Sequence, residues 1–276
     1  MKHEFAPASS GSHLNHVGSY RRRLPVSLDR MYENALDWQH LPHLHSSSFE
    51  SINCESAGGW GWRATVTSGK GEALIVSELE LCLDRDARRW ITRNLSGPNA
   101  GVEIWTHVFV VADRVLDIVV DFFVPNVPPE AREKVGRAYA RAYEVLYDED
   151  VDMMTERQKQ LDLRLDGVDE SEVLGLSSQT LASLPAKVAM SGRSFVVDKL
   201  GTAESDDGAL VVYPAQCPHQ LGPLDEMSMD RGTVRCPWHG YVFDVRTGEC
   251  VSGSHCRLGR VPRVLESEGR VELRWL

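Results

Sequence analysis

Two short segments, each carrying one cysteine and one histidine, constrain this chain of 276 residues more than any other feature. The first reads CPH and ends at His219, and the second reads CPWH and begins at Cys236, with sixteen residues between them. Two thiols and two imidazoles at this spacing predict two loops that meet at a metal centre. A tetrahedral zinc ion accepts such ligands, and so does a two-iron cluster with two Cys on one iron and two His on the other.

The residues around these ligands favour the cluster. Zinc fingers usually pair like ligands, as C-x-x-C and H-x-H, whereas each segment here combines a Cys with a His. The segments CPHQLGPL and CPWHGYVFDVRTG resemble the two cluster loops of Rieske domains. The resemblance implies a [2Fe–2S] cluster held by Cys217, His219, Cys236 and His239.

Neither loop has the extra cysteine that forms a disulfide in respiratory-chain Rieske proteins, and Leu221 and Gly222 follow His219 instead. The loops therefore resemble the ferredoxin and oxygenase branch, whose potentials lie toward the lower part of the Rieske range. Cys250 and Cys256 follow the second loop without ligand spacing, so we expect ordinary buried or surface thiols there.

Composition excludes several classes of partner. A net charge of −10 argues against nucleic acid and anionic membranes, because too little positive charge is present to neutralise phosphates. Apolar runs such as Leu116–Val120 are much shorter than a membrane span. The first 22 residues lack the apolar core of a signal peptide. Six scattered cysteines fit a reducing compartment, so we expect a cytoplasmic protein.

Turn and linker signals divide the chain into four parts. We expect a flexible tail over residues 1–23, an α+β domain over 24–166, a linker over 167–185 and a small all-β domain over 186–276. A short helix is predicted over Leu28–Asp37, ended by the Leu41-Pro42 step, and a long helix from Pro128-Pro129 to about Leu165. The predicted strands are Trp60–Thr67, Ala73–Leu83, Arg88–Asn94, Val102–Val111, Val115–Val124, Ser194–Lys199, Leu210–Tyr213, Thr233–Arg235, Tyr241–Val245 and Val271–Trp275.

A second candidate metal site lies in the pattern E-N-x-x-D-x-x-H-x4-H, which runs from Glu33 to His45. Asp37 and His40 are three residues apart and share a helix face, and His45 follows the proline and can turn back toward them. The pattern resembles the mononuclear iron motif of Rieske non-haem iron oxygenases, in which two His and one carboxylate leave positions open for O₂. Family spacing selects His40 and His45, so His43 is expected near the site or in solvent.

The third ligand is predicted on the long helix. Its buried face is predicted to run along Val135, Tyr139, Ala142 and Leu146, and Asp150 continues that stripe by one more step of four. A carboxylate on a buried face is costly unless a partner or a metal compensates its charge. The segment EDVDMMTE also resembles the family's late segment, where the aspartate after Glu149 is the ligand. A solvated acidic patch at a frayed turn is the alternative.

The resemblance implies a fold and a function. Five strands and the closing helix match a helix-grip fold, an antiparallel sheet wrapped over a long helix as in START-like proteins, followed here by the Rieske domain. In the family the Rieske domain comes first, so the order here is reversed. Iron would be held by His40, His45 and Asp150, and Asn34 would lie near its open position. Asp37 resembles the bridging aspartate that hydrogen-bonds a cluster histidine, here His239.

The implied partners follow from this chemistry. Electrons would come from NAD(P)H through a separate ferredoxin or flavin reductase, pass through the cluster to Fe(II), and activate O₂ to hydroxylate, demethylate or desaturate a small organic substrate. The family's homotrimer, in which one subunit's cluster serves its neighbour's iron, is open to question because of the reversed order. The alternative is a Rieske electron carrier fused to a helix-grip ligand-binding module without a second iron.

Overall fold

The computed structural model describes residues 14–69, 74–163, 169–200 and 208–275. The chain divides between Gln158 and Lys159 into two compact units. No helix in these ranges is both long and apolar enough to cross a membrane.

The first unit is built on one antiparallel sheet of seven strands, in the order β1-β7-β6-β5-β4-β3-β2. Its strands are β1 (Leu14–Leu24), β2 (Ser51–Gly58), β3 (Gly61–Ser68), β4 (Ile75–Asp84), β5 (Arg89–Asn94), β6 (Glu103–Ala112) and β7 (Val115–Pro125). Strands β3 to β7 are the five that the sequence predicts for this unit, and each is the neighbour of the next in the sheet. With the long helix that follows, this sheet is a helix-grip fold, as predicted.

The long helix α3 (Pro129–Asp162) packs an aromatic face against the sheet. The ring of Phe122 on β7 lies 5.3 Å from each of the rings of Tyr139 and Tyr143. The predicted buried stripe is correct at Asp150, which is buried, but wrong at Ala142, which is exposed. The buried face runs from Tyr139 through Tyr143 and Tyr147 to Asp150 instead, so the short step of three residues falls after Tyr147 and not after Tyr139.

Strand β1 corrects the predicted N-terminal tail. Residues 1–13 lie outside the described residues, but 14–24 pair with β7 along their whole length, from Leu14↔Pro125 to Leu24↔Leu116. A bulge at Val17 interrupts the alternation of apolar residues that a sequence pattern relies on. Gly18 contacts Gly136 of α3 so closely that a methyl group on Gly136 would lie 2.1 Å from the Val17 carbonyl oxygen. The tail prediction is therefore wrong for residues 14–23.

Between β1 and β2 the chain makes three short helical segments that carry the second candidate site. Helix α1 (Leu28–Leu36) is capped at its N-terminus by Ser27, whose side chain accepts a hydrogen bond from the Arg30 amide. A 3₁₀ turn over 38–40 follows, and α2 (Leu41–Leu44) comes directly after it. The Leu41-Pro42 step therefore starts a helix, because a proline is well accommodated in a first turn.

The second unit contains small sheets. Strands β11 (Leu210–Pro214), β10 (Arg193–Lys199) and β9 (Ala186–Met190) form one of them. Strands β14 (Arg263–Ser267), β15 (Arg270–Arg274) and β8 (Val173–Leu176) form another, and β12 (Thr233–Arg235) pairs with β13 (Val242–Asp244).

The predicted linker over 167–185 is wrong where the structure describes it. Val173–Leu176 is strand β8 and Ser178–Ala182 is the short helix α4. Leu176 pairs with Val271 of β15, almost a hundred residues later, so nothing in the local composition could reveal the pairing. The predicted β character of the following domain is confirmed.

Candidate metal centres

The two Cys-His segments form a pair of loops with the same backbone closure. In the first, the Leu221 amide donates to the Cys217 carbonyl, and the Cys217 amide donates to the Gly222 carbonyl. In the second loop, the Gly240 amide donates to the Cys236 carbonyl, and the Cys236 amide donates to the Tyr241 carbonyl. Leu221 and Gly240, each four residues after a cysteine, share a positive φ of 66°. Leu221 adopts this uncommon conformation for a non-glycine residue because the loop closure requires it.

The loops bring their ligand side chains together. The rings of His219 and His239 are perpendicular, with centroids 4.5 Å apart. Both cysteines are buried and hydrogen-bond to each other. Gly222 allows this approach, because a methyl group there would lie 2.9 Å from the Cys236 sulfur and 3.0 Å from the Trp238 ring.

The paired thiols share one proton. The hydrogen bond from Cys217 lowers the pKa of Cys236 to about 5, and it raises the pKa of Cys217 well above the ordinary value of a thiol. Burial works against the charged form of both. One thiolate is therefore stabilised at neutral pH, which is the form that ligates a metal.

The geometry suits two irons better than one ion. A single zinc ion holds sulfur at about 2.3 Å, so no two of its ligand atoms lie more than about 4.6 Å apart. Within the described residues, His40, His45 and Asp150 form a group of ligand atoms that all lie within 4.8 Å of one another, and the four loop residues do not. Instead, thiol lies beside thiol and imidazole beside imidazole, as expected when Cys binds one iron and His the other.

The second candidate site unites the three residues predicted to hold iron. His40, His45 and Asp150 are all buried, and their ligand atoms lie within 4.8 Å of one another. The Nε2 atoms of His45 and His40 lie 3.1 and 3.6 Å from Asp150 Oδ1. Both imidazoles therefore present the same nitrogen to one carboxylate oxygen, although His45 and Asp150 are 105 residues apart in sequence.

The opposite nitrogen of each imidazole faces another carboxylate. His45 Nδ1 lies 2.7 Å from Glu149 Oε2, which is a short hydrogen bond. His40 Nδ1 is buried and lies 3.7 Å from Asp37 Oδ2, beyond hydrogen-bond distance. Metal-bound histidines typically use one ring nitrogen on the metal and donate the other N–H to a carboxylate. This arrangement fits a metal held between the Nε2 atoms and Asp150.

The electrostatics of the site favour a cation. Burial alone would raise the pKa of the Asp150 carboxyl, but the hydrogen bond and charge of His45, aided by His40 and Asn34, lower it. Burial likewise opposes protonation of His45, yet Asp150 and Glu149 raise its pKa. Two carboxylates thus draw positive charge to a buried site, which a divalent ion can satisfy.

The remaining predicted residues take different positions. Asn34 Nδ2 donates to Asp150 Oδ1 over 2.7 Å, so its amide holds the carboxylate. Asp37 closes α1, and its side chain accepts from the Gln39 amide. His43 is exposed, in agreement with a position in solvent. Glu149, to which the sequence analysis gives no role, is the residue that sequence reasoning missed; its place beside Asp150 was the available signal.

A cavity of about 120 Å³ opens beside the three candidate ligands. The cross-strand pairs Trp62↔Leu81 and Leu81↔Thr92 form one part of its wall, and Trp90↔Thr106 forms another. The tyrosines Tyr143 and Tyr147 of α3 face these pairs across the cavity. The sequence places none of these residues in a site, because their apolar side chains look like ordinary core.

Comparison with known families assigns the second unit. Residues 172–262 match the Rieske [2Fe-2S] domain family. The chain is 31% identical to the oxygenase component of dicamba O-demethylase from Stenotrophomonas maltophilia over 77 residues, 27% of this chain and 22% of that protein. It is also 43% identical to human apoptosis-inducing factor 3 over 44 residues, 16% of this chain and 7% of that protein. The chain therefore contains a Rieske domain, and it spans less than a quarter of either relative.

Solved structures resemble the first unit with low sequence identity. The ZhuI aromatase/cyclase from Streptomyces sp. R1128 is 14% identical with a TM-score of 0.44, over 53% of this chain and 96% of that chain. A norcoclaurine synthase from Thalictrum flavum is 18% identical with a TM-score of 0.43, over 54% of this chain and 99% of that chain.

Proposed function

We propose that this chain is the terminal oxygenase component of a Rieske non-haem iron oxygenase system. The observation that carries the proposal is the buried convergence of His40, His45 and Asp150 beside a cavity, in a chain that also contains a Rieske domain. Two His and one carboxylate are the ligands of oxygen-activating non-haem Fe(II) sites. The short identity with a demethylase oxygenase component supports the same class.

Each residue of the site has a proposed task. His40, His45 and Asp150 hold Fe(II), which when bound activates O₂ for hydroxylation, demethylation or desaturation of an organic substrate. Glu149 fixes the His45 ring through the 2.7 Å bond to Nδ1, and Asn34 fixes the Asp150 carboxylate. Asp37 lies nearest the Nδ1 atom of His40 and is proposed to link this site to a cluster histidine, His239.

Electrons are proposed to enter through the Rieske domain. Cys217 and Cys236 would bind one iron of the cluster, and His219 and His239 the other. A separate ferredoxin or flavin reductase would supply the electrons from NAD(P)H. We also propose a cytoplasmic location, because such reductases and a reducing environment coexist there.

Iron content tests the proposal directly. We expect three irons per chain, two with acid-labile sulfide and one without, and an EPR signal of the His-ligated type after reduction. Asp150→Ala, His40→Ala and His45→Ala should each remove about one iron per chain and abolish turnover while the cluster spectrum remains. Asp152→Ala is the matched control, because Asp152 is exposed on the same helix. Full iron and activity in Asp150→Ala would refute the assignment.

An electron carrier fused to a binding module is the second candidate. One observation favours it: Asn34 and His45 already satisfy the Asp150 oxygen by hydrogen bonds, which a metal-free site also requires. The carrier predicts two irons per chain, all lost with the cluster in His239→Ala. The oxygenase predicts that one iron remains in that variant.

A further inference from the structure

The volume, charge and hydrogen-bonding groups of the cavity beside the candidate iron site restrict which molecules it can bind. The inference drawn from them rests on the proposed function. We propose that the cavity binds an uncharged molecule of about the size of one six-membered ring, with the Thr92 hydroxyl as its hydrogen-bonding group. Three observations lead to this: the cavity volume, the charge of its lining, and the state of its two threonines.

The volume sets the size. At about 120 Å³ the cavity is slightly smaller than an engineered apolar cavity of roughly 150 Å³ that binds benzene. Away from the candidate metal ligands its wall consists largely of indole, phenol and leucine side chains, which pack against flat rings. A bicyclic or longer molecule would have to displace wall residues, and repacking a folded interior is unfavourable.

The charges of the lining exclude ionic ligands. No lysine or arginine lines the cavity in the part of the chain that the structure describes, so a carboxylate or sulfonate would enter without a counter-charge. Asp37 and Asp150 supply two negative charges, and a bound Fe(II) would cancel both. The lining of the loaded site is therefore formally neutral toward a ligand, and the Glu149 carboxylate lies behind the His45 ring, outside the lining. Burying an unpaired ion of either sign in such a place costs several kcal/mol.

The two threonines differ in what they can offer. Thr106 is buried and its hydroxyl hydrogen-bonds to Tyr147, so it is already used. Thr92 lies between Leu81 and Ile104 in the cross-strand row, on the face that lines the cavity. Its hydroxyl is the polar group of the sheet wall that is left for a ligand. A hydroxyl or ether oxygen on the ligand is the complementary group.

Binding of four small probes to the full-length iron-loaded protein, measured anaerobically by calorimetry, tests the proposal without turnover. We expect benzene and phenol to bind, and benzoate and benzylammonium to bind at least about tenfold more weakly. Thr92→Val should weaken the binding of phenol by about three- to tenfold, which corresponds to the loss of one hydrogen bond, and leave the binding of benzene unchanged. Thr67→Val is the matched control, because Thr67 lies on β3 outside the cavity and bonds to Ser51.

A blocking variant separates this site from other surfaces. Leu146→Trp should fill the cavity and abolish binding of both neutral probes, with the cluster spectrum as the check on folding. Equal binding of benzoate, tighter binding of benzylammonium, or phenol binding that survives Leu146→Trp would overturn the proposal. Iron content is measured separately. Three irons with a charged-ligand preference would defeat the cavity inference alone, and two irons with the expected probe pattern would defeat only the oxygenase assignment.

A second inference rests on an independent observation, the register around Cys250 and Cys256. Glu249 and Arg257 form an antiparallel bridge pair, so the next residues inward, Cys250 and Cys256, lie opposite each other. Each thiol hydrogen-bonds to a serine hydroxyl, Cys250 to Ser252 and Cys256 to Ser254, and both thiols are only partly buried. Opposed cross-strand residues have Cβ atoms about 4.5–5.5 Å apart, close to the separation that a disulfide needs.

We propose that Cys250 and Cys256 are a site of reversible disulfide formation. With hydrogen peroxide as oxidant, the two thiols lose two protons and two electrons, the sulfur–sulfur bond forms, and the peroxide is reduced to two molecules of water. The segment is hydrogen-bonded to β13, which directly follows the second cluster loop, through the Val251 amide and the Val242 carbonyl. The site is therefore positioned where oxidation would stiffen the chain leaving that loop.

Peptide mass analysis after anaerobic purification, peroxide treatment and alkylation tests this inference on the full-length protein. We expect a cross-linked pair at Cys250 and Cys256 that a dithiol reductant reverses, and none in Cys250→Ser or Cys256→Ser. Cys82 is the internal control, because burial and the nearby Glu80 raise its pKa to about 11 and leave it unreactive. Full alkylation of both thiols after peroxide, or their separate oxidation to sulfinic acid, would overturn the inference.

Discussion

The two candidate metal centres differ in how their residues are brought together. The four cluster residues lie within the segment from Cys217 to His239, and each loop closes on itself through hydrogen bonds between neighbouring amides and carbonyls. The candidate iron site instead joins His45, at the end of α2, to Asp150 on α3, 105 residues later in the sequence. The first centre is set by local loop geometry, whereas the second depends on the packing of a whole unit.

This difference predicts how each centre fails. A change within a cluster loop should destroy the cluster and leave the helix-grip unit folded, since the two units have separate cores. A change near the iron should act through orientation, because the carboxylates around His40 and His45 hold rings that already lie in position.

Replacing Gly222 should have the largest effect. In Gly222→Val the added side chain would press on the Cys236 sulfur and the Trp238 ring, both within about 3 Å of the new Cβ, so the loops could not approach. We expect complete loss of the visible cluster spectrum, while the thermal unfolding of the first unit persists. Gly259→Ala is the control, because a methyl group there meets no atom within 4 Å. A variant with a normal cluster would show that the loops tolerate separation.

Replacing Glu149 should weaken iron binding without removing a ligand. Glu149→Gln keeps the size of the side chain but loses the charge that holds His45 Nδ1, and such outer partners are worth about 10–100-fold in metal affinity. Iron competition with a chelator measures the change, and the cluster spectrum should stay unaltered. Unchanged affinity would mean that the His45 ring is held by packing alone.

The substitution Asp37→Asn should leave the metal content unchanged and lower only the rate of electron transfer. Both metal sites should remain loaded, while electron transfer and product formation fall by at least about tenfold, because an amide places a donor where an acceptor is needed. Single-turnover kinetics from reduced protein would show a slower loss of the reduced-cluster signal with O₂ and substrate. A wild-type rate would mean that Asp37 does not connect the two metal sites, and would favour the electron carrier fused to a binding module.

Mixing two inactive variants asks whether the proposed transfer runs between subunits. A cluster-deficient His239→Ala chain and an iron-deficient His40→Ala chain are each expected to be inactive. Recovered activity in the mixture requires a path from one chain to another. No recovery, with mixed oligomers present, places the path within one chain.

Much of the fold follows from local patterns. Strands β3 to β7 begin and end within about two residues of their predicted bounds, because alternation and turn residues mark them directly. The sequence analysis did not predict strands β1, β2, β8, β9 and β14. For β1 and β8 the reason is that their partners are distant: β1 pairs with β7 a hundred residues later, and β8 with β15. Neither has a complete apolar alternation, so only the pairing makes them strands.

Residue type and short spacing in the sequence are enough to mark the two Cys-His segments as candidate cluster loops and to propose His40 and His45 as ligands, whereas Asp150 was proposed from the helix stripe and the family resemblance. That the buried face of α3 passes through Tyr143 rather than Ala142, and that Glu149 contacts His45, became visible in the folded structure. It also decided that Trp62, Leu81 and Thr92 border a cavity. These are properties of the space between a sheet and a helix, and the relative placement of distant segments, which no local pattern contains, creates that space.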